Sequence, residues 1–464
     1  MNYIPSQYTG ISFWLESCGD DLTPRPSLAR SEEADVAILG AGFTGLWTAY
    51  YLLRCNPALR LVILEREIAG FGASGRNGGW CTSGFPVSPA RLHRHFGRET
   101  ASAIQLAMYE TVDEVGRVLR DEGIDAQFRR GGELLIARGP HQVDAVEQEY
   151  AALRDLGLDD HATVLDQAAT LARLRVTGAR CALFTPACAT IHPGRLVRGL
   201  ARAVERRGGV IFERTPVTAF TTGTRPSLIT ARGTVRATTI VLAGEAYLSR
   251  LPALHRRVLP VYSLIVLTEP LSDAQWEAIG WQGHECAASM RYTVDYLSRT
   301  ADGRILFGGR GAPYHFGSRI APAYDRHAPT HAMLREMLVQ WFPMLKGIKF
   351  THAWGGPLGI PRDWLPTMTY DPTQGLALAF GYTGQGVATS NLSGRLLADL
   401  IQGVASPLTQ LPMARHRSPD WEPEPLRWLG VRFVQQGLYH VDQRAERTGR
   451  PPTGRTLAER LGSH

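Results

Sequence analysis

The sequence predicts an α/β protein in which a doubly wound, Rossmann-like domain is joined to a second, α+β domain. Three observations carry that prediction. A buried-strand pattern, Asp35-Val36-Ala37-Ile38-Leu39, feeds the turn Gly40-Ala41-Gly42-Phe43-Thr44-Gly45, and apolar residues then recur at helical spacing at Leu46, Ala49, Tyr50 and Leu53. A second apolar run, Leu61-Val62-Ile63-Leu64, ends in Glu65, 20 residues past Gly45. The length, 464 residues, exceeds one small domain, since roughly 150 residues per domain suggests two or three.

Each part of the first unit has a physical task. Gly40 makes the tight turn, Gly42 lets the backbone approach a pyrophosphate, and Gly45 lets the helix pack closely on the strand. Phosphates then sit on the positive helix N-terminus, against Phe43 and Thr44. Glu65, with Arg66 beside it, lies at the spacing of a carboxylate that takes both ribose hydroxyls. The reading is an adenine dinucleotide. NAD and FAD share this unit, and the next segment separates them: Gly70-Phe71-Gly72-Ala73-Ser74-Gly75-Arg76-Asn77-Gly78-Gly79-Trp80 is a glycine-dense loop where backbone passes close to something flat and polar.

In that loop the chain resembles the D-amino-acid-oxidase-like superfamily of FAD-dependent oxidoreductases, whose acidic residue is followed by such a loop along the flavin. The resemblance runs from about residue 30 to residue 405. It implies flavin contacts at Gly72, Ala73, Ser74, Arg76, Asn77, Gly78 and Gly79. It further implies that Val217, after the helix expected from Arg195 to Arg207, meets the adenine. Ala243-Gly244, ending the strand from Thr239, is similar to the family's turn beneath the pyrophosphate. Gly384-Gln385-Gly386-Val387 looks like the last flavin loop, leading into a small-residue helix through Gly394. No cysteine follows Cys286 to take the place of the C-terminal cysteine that sarcosine-oxidase relatives use, so noncovalent FAD is expected.

These anchors imply a discontinuous FAD-binding domain of residues 1–95, 189–258 and 355–410. Residues 96–188 and 259–354 then form an α+β substrate domain with a large, mostly antiparallel sheet, whose strand candidates include Glu133–Ala137, Tyr262–Thr268 and Arg304–Gly308. Residues 411–464 are a helical tail in which Leu426, Leu429, Phe433 and Leu438 fall at helical spacing. The tail reads as a helix packed on the body, with a basic amphipathic helix as the alternative.

Composition excludes other classes. With 44% hydrophobic and 20% charged residues the chain is an ordinary globular one. No apolar stretch reaches the ~18 residues of a membrane span, and the N-terminus lacks the pattern of a secretory signal, so a cytoplasmic location is expected. The formal charge of +7 comes without a basic run, and nucleic acid is not expected as a partner. Six cysteines without a CxxC pair predict neither a disulfide framework nor a zinc site.

Within the superfamily, Ser12-Phe13-Trp14-Leu15-Glu16 and the segments around Asp295, Asp302 to Arg310 and Trp354 look like the gamma-glutamylputrescine oxidoreductase branch. That resemblance implies oxidation of an amine C–N bond by hydride transfer to flavin, with oxygen or another acceptor restoring the cofactor. Amino-acid-oxidising relatives such as glycine oxidase carry arginines where this chain has Leu358 and Gly384. An ω-amine or substituted amine is therefore expected rather than a small α-amino acid, because a bidentate arginine is the natural carboxylate holder. Arg310, or else Arg76 or Arg291, is the candidate for a remote anionic group. Tyr262 and Trp354 are candidates for the substrate pocket, with Tyr296, Tyr314 and Tyr382 as further aromatic residues. His192 and His352 read as structural. The alternatives are an amino-acid oxidase of the glycine or sarcosine type and an NAD(P)H-dependent flavin monooxygenase or reductase. An oligomer is compatible with everything in the sequence.

Overall fold

Strands covered on both faces read as unbroken apolar runs, and three such runs form the centre of the first sheet. The structure, a computed structural model, describes residues 5–309, 311 and 313–462. Val36–Leu39, Leu61–Leu64 and Thr239–Leu242 pair in parallel, with Leu39 opposite both Leu64 and Leu242. Val210–Phe212 extends one edge, Leu376–Phe380 extends the other in parallel, and Thr367–Asp371 completes this six-stranded sheet antiparallel. Parallel register brings the carboxyl ends of four strands to one edge, so Gly40, Glu65, Ala243 and Gly381 emerge together. Ligands of open α/β sheets bind in the crevice outside such ends.

The helix Phe43–Cys55 is buried from Phe43 to Leu53, because helices Pro193–Arg206 and Gly386–Gln402 both pack on it. Gly394 permits the second crossing: a Cβ there would stand 2.6 Å from the Trp47 Cβ. A four-stranded sheet containing Val217–Thr221 and a two-stranded pair, Trp80–Thr82 with Cys188–Thr190, flank this layer.

The second sheet has eight strands in the order Phe350–Ile360, Leu259–Thr268, Ile305–Gly309, Asp295–Arg299, Cys286–Ser289, Glu133–Arg138, Ala179–Thr185 and Thr163–Leu165. All neighbours are antiparallel except Cys286–Ser289 with Glu133–Arg138. The expected strands all lie in it. Residues 355–360, placed by sequence with the nucleotide-binding part, continue the strand Phe350–Ile360 and pair with residues 259–264. Side chains alternate between the faces. Tyr262, Leu264 and Val266 go to a core with Leu334, Leu338 and Trp341 of the helix Ala328–Trp341, whereas Ser263 and Ile265 face the glycine-dense loop side, where Ile265 packs with Trp14 and Trp354.

The tail forms the expected helix, Leu426–Thr448, but presents a different face to the body. Leu438 is buried, while Leu426, Leu429 and Phe433 are 61%, 53% and 49% exposed. Trp428 and Val431 pack instead beside Leu259, Val261 and Trp421, and a polar contact is added further along the helix. The Asp442 carboxylate accepts from the backbone amides of Tyr292 (3.0 Å) and Thr293 (2.7 Å) and from the Thr293 hydroxyl, which satisfies a loop's amides on the inward face. Among the described residues no helix is long and apolar enough to cross a membrane.

Candidate active site

Where the parallel strands end, a groove of about 370 Å³ is lined by Gly40, Gly42, Phe43, Thr44, Glu65, Arg66, Val217, Ala243 and Gly244, and continues to Gly72, Ala73, Ser74, Asn77, Leu358, Gly384, Gly386 and Val387. The glycines show why it is open. Gly40 has φ +101°, and a Cβ on it would reach 2.8 Å from the Ala243 carbonyl oxygen. On Gly45 a Cβ would stand 2.0 Å from the Gly40 oxygen, so this residue serves helix-to-strand packing and does not line the groove. At Gly42 a Cβ would meet only the Ser74 hydroxyl, at 3.0 Å; that hydroxyl also accepts from the Phe43 amide at 2.8 Å.

The Glu65 carboxylate is held by two backbone donors, the amides of Ala41 (2.8 Å) and Glu67 (2.9 Å). Burial pushes its pKa up to about 7 despite them, and Glu213 and Glu67 add to the rise. Sequence reasoning missed Glu245. This buried residue takes the amides of Gly359 (2.6 Å), Gly381 (2.9 Å) and Tyr382 (3.2 Å), so it joins three segments at the groove's edge. Its signal was an acid inside the small-residue turn after a buried strand.

The glycine-dense loop is held by its carbonyls. Ser12 Oγ donates to Gly75 O (2.6 Å), Trp354 Nε1 to Arg76 O (2.9 Å), Trp14 Nε1 to Asn77 O (2.7 Å) and Ser298 Oγ to Gly78 O (2.9 Å). Four consecutive carbonyls are thus engaged by side chains. The amides of Asn77 and Gly78 donate to no acceptor among the described residues, and they stand where the groove meets a second cavity.

That second cavity, of about 590 Å³, shares the wall Ala73, Asn77, Leu358, Gly384 and Val387 with the groove. It is bounded by Ser263, Ile265 and Tyr296 of the large sheet, by Glu133, His141 and Glu149, and by Asp442, Pro451 and Pro452 of the tail. Leu358 and Gly384 both stand in the shared wall.

The structure redistributes several residues that sequence reasoning placed at the cofactor or substrate. Arg76 lines the second cavity rather than the groove, and its guanidinium donates to Asp325 (2.6 Å) and to the Phe71 carbonyl (2.7 Å). Gly78 and Gln385 also belong to the second cavity, while Gly79, with φ +74°, packs against Ile191. Tyr262 and Trp354 line neither cavity. Tyr262 faces the opposite side of the sheet, its hydroxyl accepting from the Ala321 amide at 3.3 Å, and the period of two makes its neighbour Ser263 the cavity residue. Trp354 shares a face with Gly356 and Leu358, but Trp14 and the glycine-dense loop cover it, so it positions the loop. Arg291 pairs with Glu446 at 2.8 Å. Tyr314 bonds Glu424 at 2.8 Å. Arg310 lies outside the described residues. His192 caps the helix Pro193–Arg206 by accepting from the Arg195 amide at 3.2 Å, and burial lowers its pKa to about 4.

A Rossmann-type sheet with its glycine turn, a buried acid held at the end of the second strand and a carbonyl-tethered glycine loop define a dinucleotide-binding flavoprotein class. The chain belongs to the DAO family, FAD dependent oxidoreductase, whose family model matches residues 35–400. It is similar to the gamma-glutamylputrescine oxidoreductase of Escherichia coli (strain K12), 30% identical over 399 residues covering 85% of this chain and 89% of that one. It is also similar to the glycine oxidase of Geobacillus kaustophilus (strain HTA426), 24% identical over 82% of this chain and 97% of that one. The crystal structure of glycine oxidase from Geobacillus kaustophilus matches with a TM-score of 0.70 at 22% identity, over 84% of this chain and 100% of the other. The family, the fold and FAD as cofactor are those expected from the glycine loops.

Proposed function

We propose that the chain oxidises a C–N bond of an amine, an ω-amine or substituted amine rather than a small α-amino acid. The observation that carries this reading is the wall between groove and cavity. At Leu358 and Gly384 neither side chain offers a guanidinium, so nothing at these positions holds a carboxylate beside the reacting carbon. Similarity to a gamma-glutamylputrescine oxidoreductase supports the amine assignment.

Bound FAD supplies the two-electron acceptor that lets an amine C–H leave as hydride, giving an imine that water opens to a carbonyl compound and an amine or ammonia. The chain's own residues do the rest. Glu65, Gly40, Gly42 and Val217 would hold the adenosine and pyrophosphate end. The Asn77 and Gly78 amides and the Gly384 turn would hold the isoalloxazine at the shared wall. The N-terminus of the helix Gly386–Gln402 favours negative charge there. Ile265, Leu358 and Val387 give that end of the cavity an apolar surface, which favours a neutral, reactive amine over its ammonium. In this reading oxygen is the final acceptor and hydrogen peroxide a product.

Anaerobic mixing with a panel of amines, amino acids and NADPH tests it. Loss of visible flavin absorbance with ω-amines, and peroxide on readmitting air, is the expected result. Rapid bleaching by NADPH, or glycine, sarcosine and D-alanine outperforming every ω-amine, would overturn it.

A further inference from the structure

The tail completes the second cavity on a side that the cofactor groove does not share. Its helix Leu426–Thr448 ends at Gly449, in the left-handed region at φ +66°, and the chain then runs into Pro451-Pro452. Asp442, Ala445, Pro451 and Pro452 all line the cavity, and none of them lines the groove. This end of the tail is fastened at several points. Asp442 takes the amides of Tyr292 and Thr293, Glu446 pairs with Arg291 at 2.8 Å, and a Cβ added at Gly449 would stand 3.6 Å from the Pro140 ring. Prolines fix φ, so the last part of the wall is stiff.

A second and independent observation comes from His141, in the turn before the helix Val143–Asp155. The imidazole is only 7% exposed, it lines the same cavity, and neither ring nitrogen has a hydrogen-bond partner among the described residues. Burial lowers its pKa, with Glu446 and Asp442 opposing the fall and Arg291 adding to it. Those charged neighbours place the ring at the tail end of the cavity. As a neutral ring it has one donor and one acceptor nitrogen. Buried polar groups are nearly always paired in folded proteins, so the ring is set to be completed by what enters the cavity.

We infer that Ala445, Pro451 and Pro452 form the outer wall of the substrate cavity and set the length of amine that fits, with His141 as the hydrogen-bonding contact for the far end of that amine. The inference rests on the amine-oxidising reading above and adds the residues that select among amines. The reacting end belongs at the shared wall of Leu358, Gly384 and Val387, where groove and cavity meet. A longer chain then runs toward the tail. Arg291, Asp442 and Glu446 already engage one another or backbone amides, so an uncharged far end such as a hydroxyl, which both donates and accepts, suits the imidazole. The tail lies beyond residues 35–400, the stretch that the family model matches. Selection by length is therefore made by a segment outside that stretch.

The test compares kcat/KM across n-alkylamines of increasing length and the α,ω-amino alcohols of matching length. In the wild type kcat/KM should rise with length to an optimum and then drop, and near the optimum the amino alcohol should exceed the alkylamine. Ala445→Leu fills the outer end and should move the optimum to shorter chains. It should lower kcat/KM at the wild-type optimum by about tenfold, mainly through KM, the size of about one methylene in a tight pocket, and change the shortest amines by less than about twofold. Should Ala445→Leu fail to fold, Pro452→Trp fills the same end from beyond the helix and should move the optimum the same way. Asp442→Ala, which releases the loop at Tyr292 and Thr293, should move it to longer chains. His141→Phe should remove the amino-alcohol preference, a loss of about threefold or more for one neutral hydrogen bond. An optimum that stays in place in the filling variants, or activity that falls equally for every amine, overturns the outer wall while leaving amine oxidation intact. An amino-alcohol preference that survives in His141→Phe overturns the far-end contact. If no amine bleaches the flavin, both readings fall together.

Discussion

The cofactor groove and the cavity beside it are built by different means. The groove stands on the ends of parallel strands in continuous register, and glycines, backbone and two buried carboxylates, Glu65 and Glu245, make up much of its lining. The cavity stands on one face of a mostly antiparallel sheet, and its walls come from five strands of that sheet, the glycine-dense loop, the helix Val143–Asp155 with the turn before it, and the tail. Backbone-built sites depend on local sequence and tolerate little. Side-chain-built sites depend on which distant segments meet, and a single substitution can retune them.

That difference is open to direct attack. The largest effect should come from Gly45→Ala, which drives a Cβ into the Gly40 carbonyl and should cost about 3 kcal/mol, the upper end for overpacking, read as a lower melting temperature of the FAD-free protein. Gly42→Ala, which meets only the Ser74 hydroxyl, should melt within about 1.5 kcal/mol of wild type yet bind FAD poorly. Equal melting of the two variants would erase the distinction between packing and cofactor glycines.

Glu65→Gln should weaken FAD by about tenfold or more, since hydrogen bonds to a charged group contribute about 1.5–3 kcal/mol. Its pH dependence has a definite sign. With the folded-state pKa raised to about 7, the unfolded chain releases this proton at lower pH than the FAD-free fold does. The FAD-free fold therefore loses stability as pH rises from the ordinary carboxylate range to about 7 and levels off above it. FAD affinity should move the opposite way, rising through that window because ribose hydroxyls donate to the ionised form. Titration calorimetry across pH would show the slope in the wild type and its loss in the variant.

On the cavity side, Leu358→Arg should raise kcat/KM for glycine or sarcosine by about tenfold, by placing a guanidinium in the shared wall. A fall for every substrate would show that the wall is needed for packing alone. The smallest effect belongs to Trp354→Phe. It removes one donor, to the Arg76 carbonyl, and should cost about 0.5–1.5 kcal/mol, seen as a few-fold loss of FAD affinity with amine preference unchanged.

By itself the sequence determined the parallel strand unit, the tight turn at Gly40 and the close packing at Gly45, because each is a contact between residues close along the chain with a fixed period or spacing. It also singled out Leu358 and Gly384, which the fold places in the wall shared by groove and cavity. Tertiary structure alone decided that Tyr262 and Trp354 line neither cavity, that Arg76 and Arg291 are matched by carboxylates, and that Glu133, His141, Glu149 and Asp442 surround one space. It decided too that the tail turns Asp442 rather than Leu426, Leu429 and Phe433 to the body. The physical reason is range. Hydrogen-bonded turns and strand periods are set within a few residues, whereas the face a strand shows to a cavity, and the partner that neutralises a buried charge, depend on segments hundreds of residues apart.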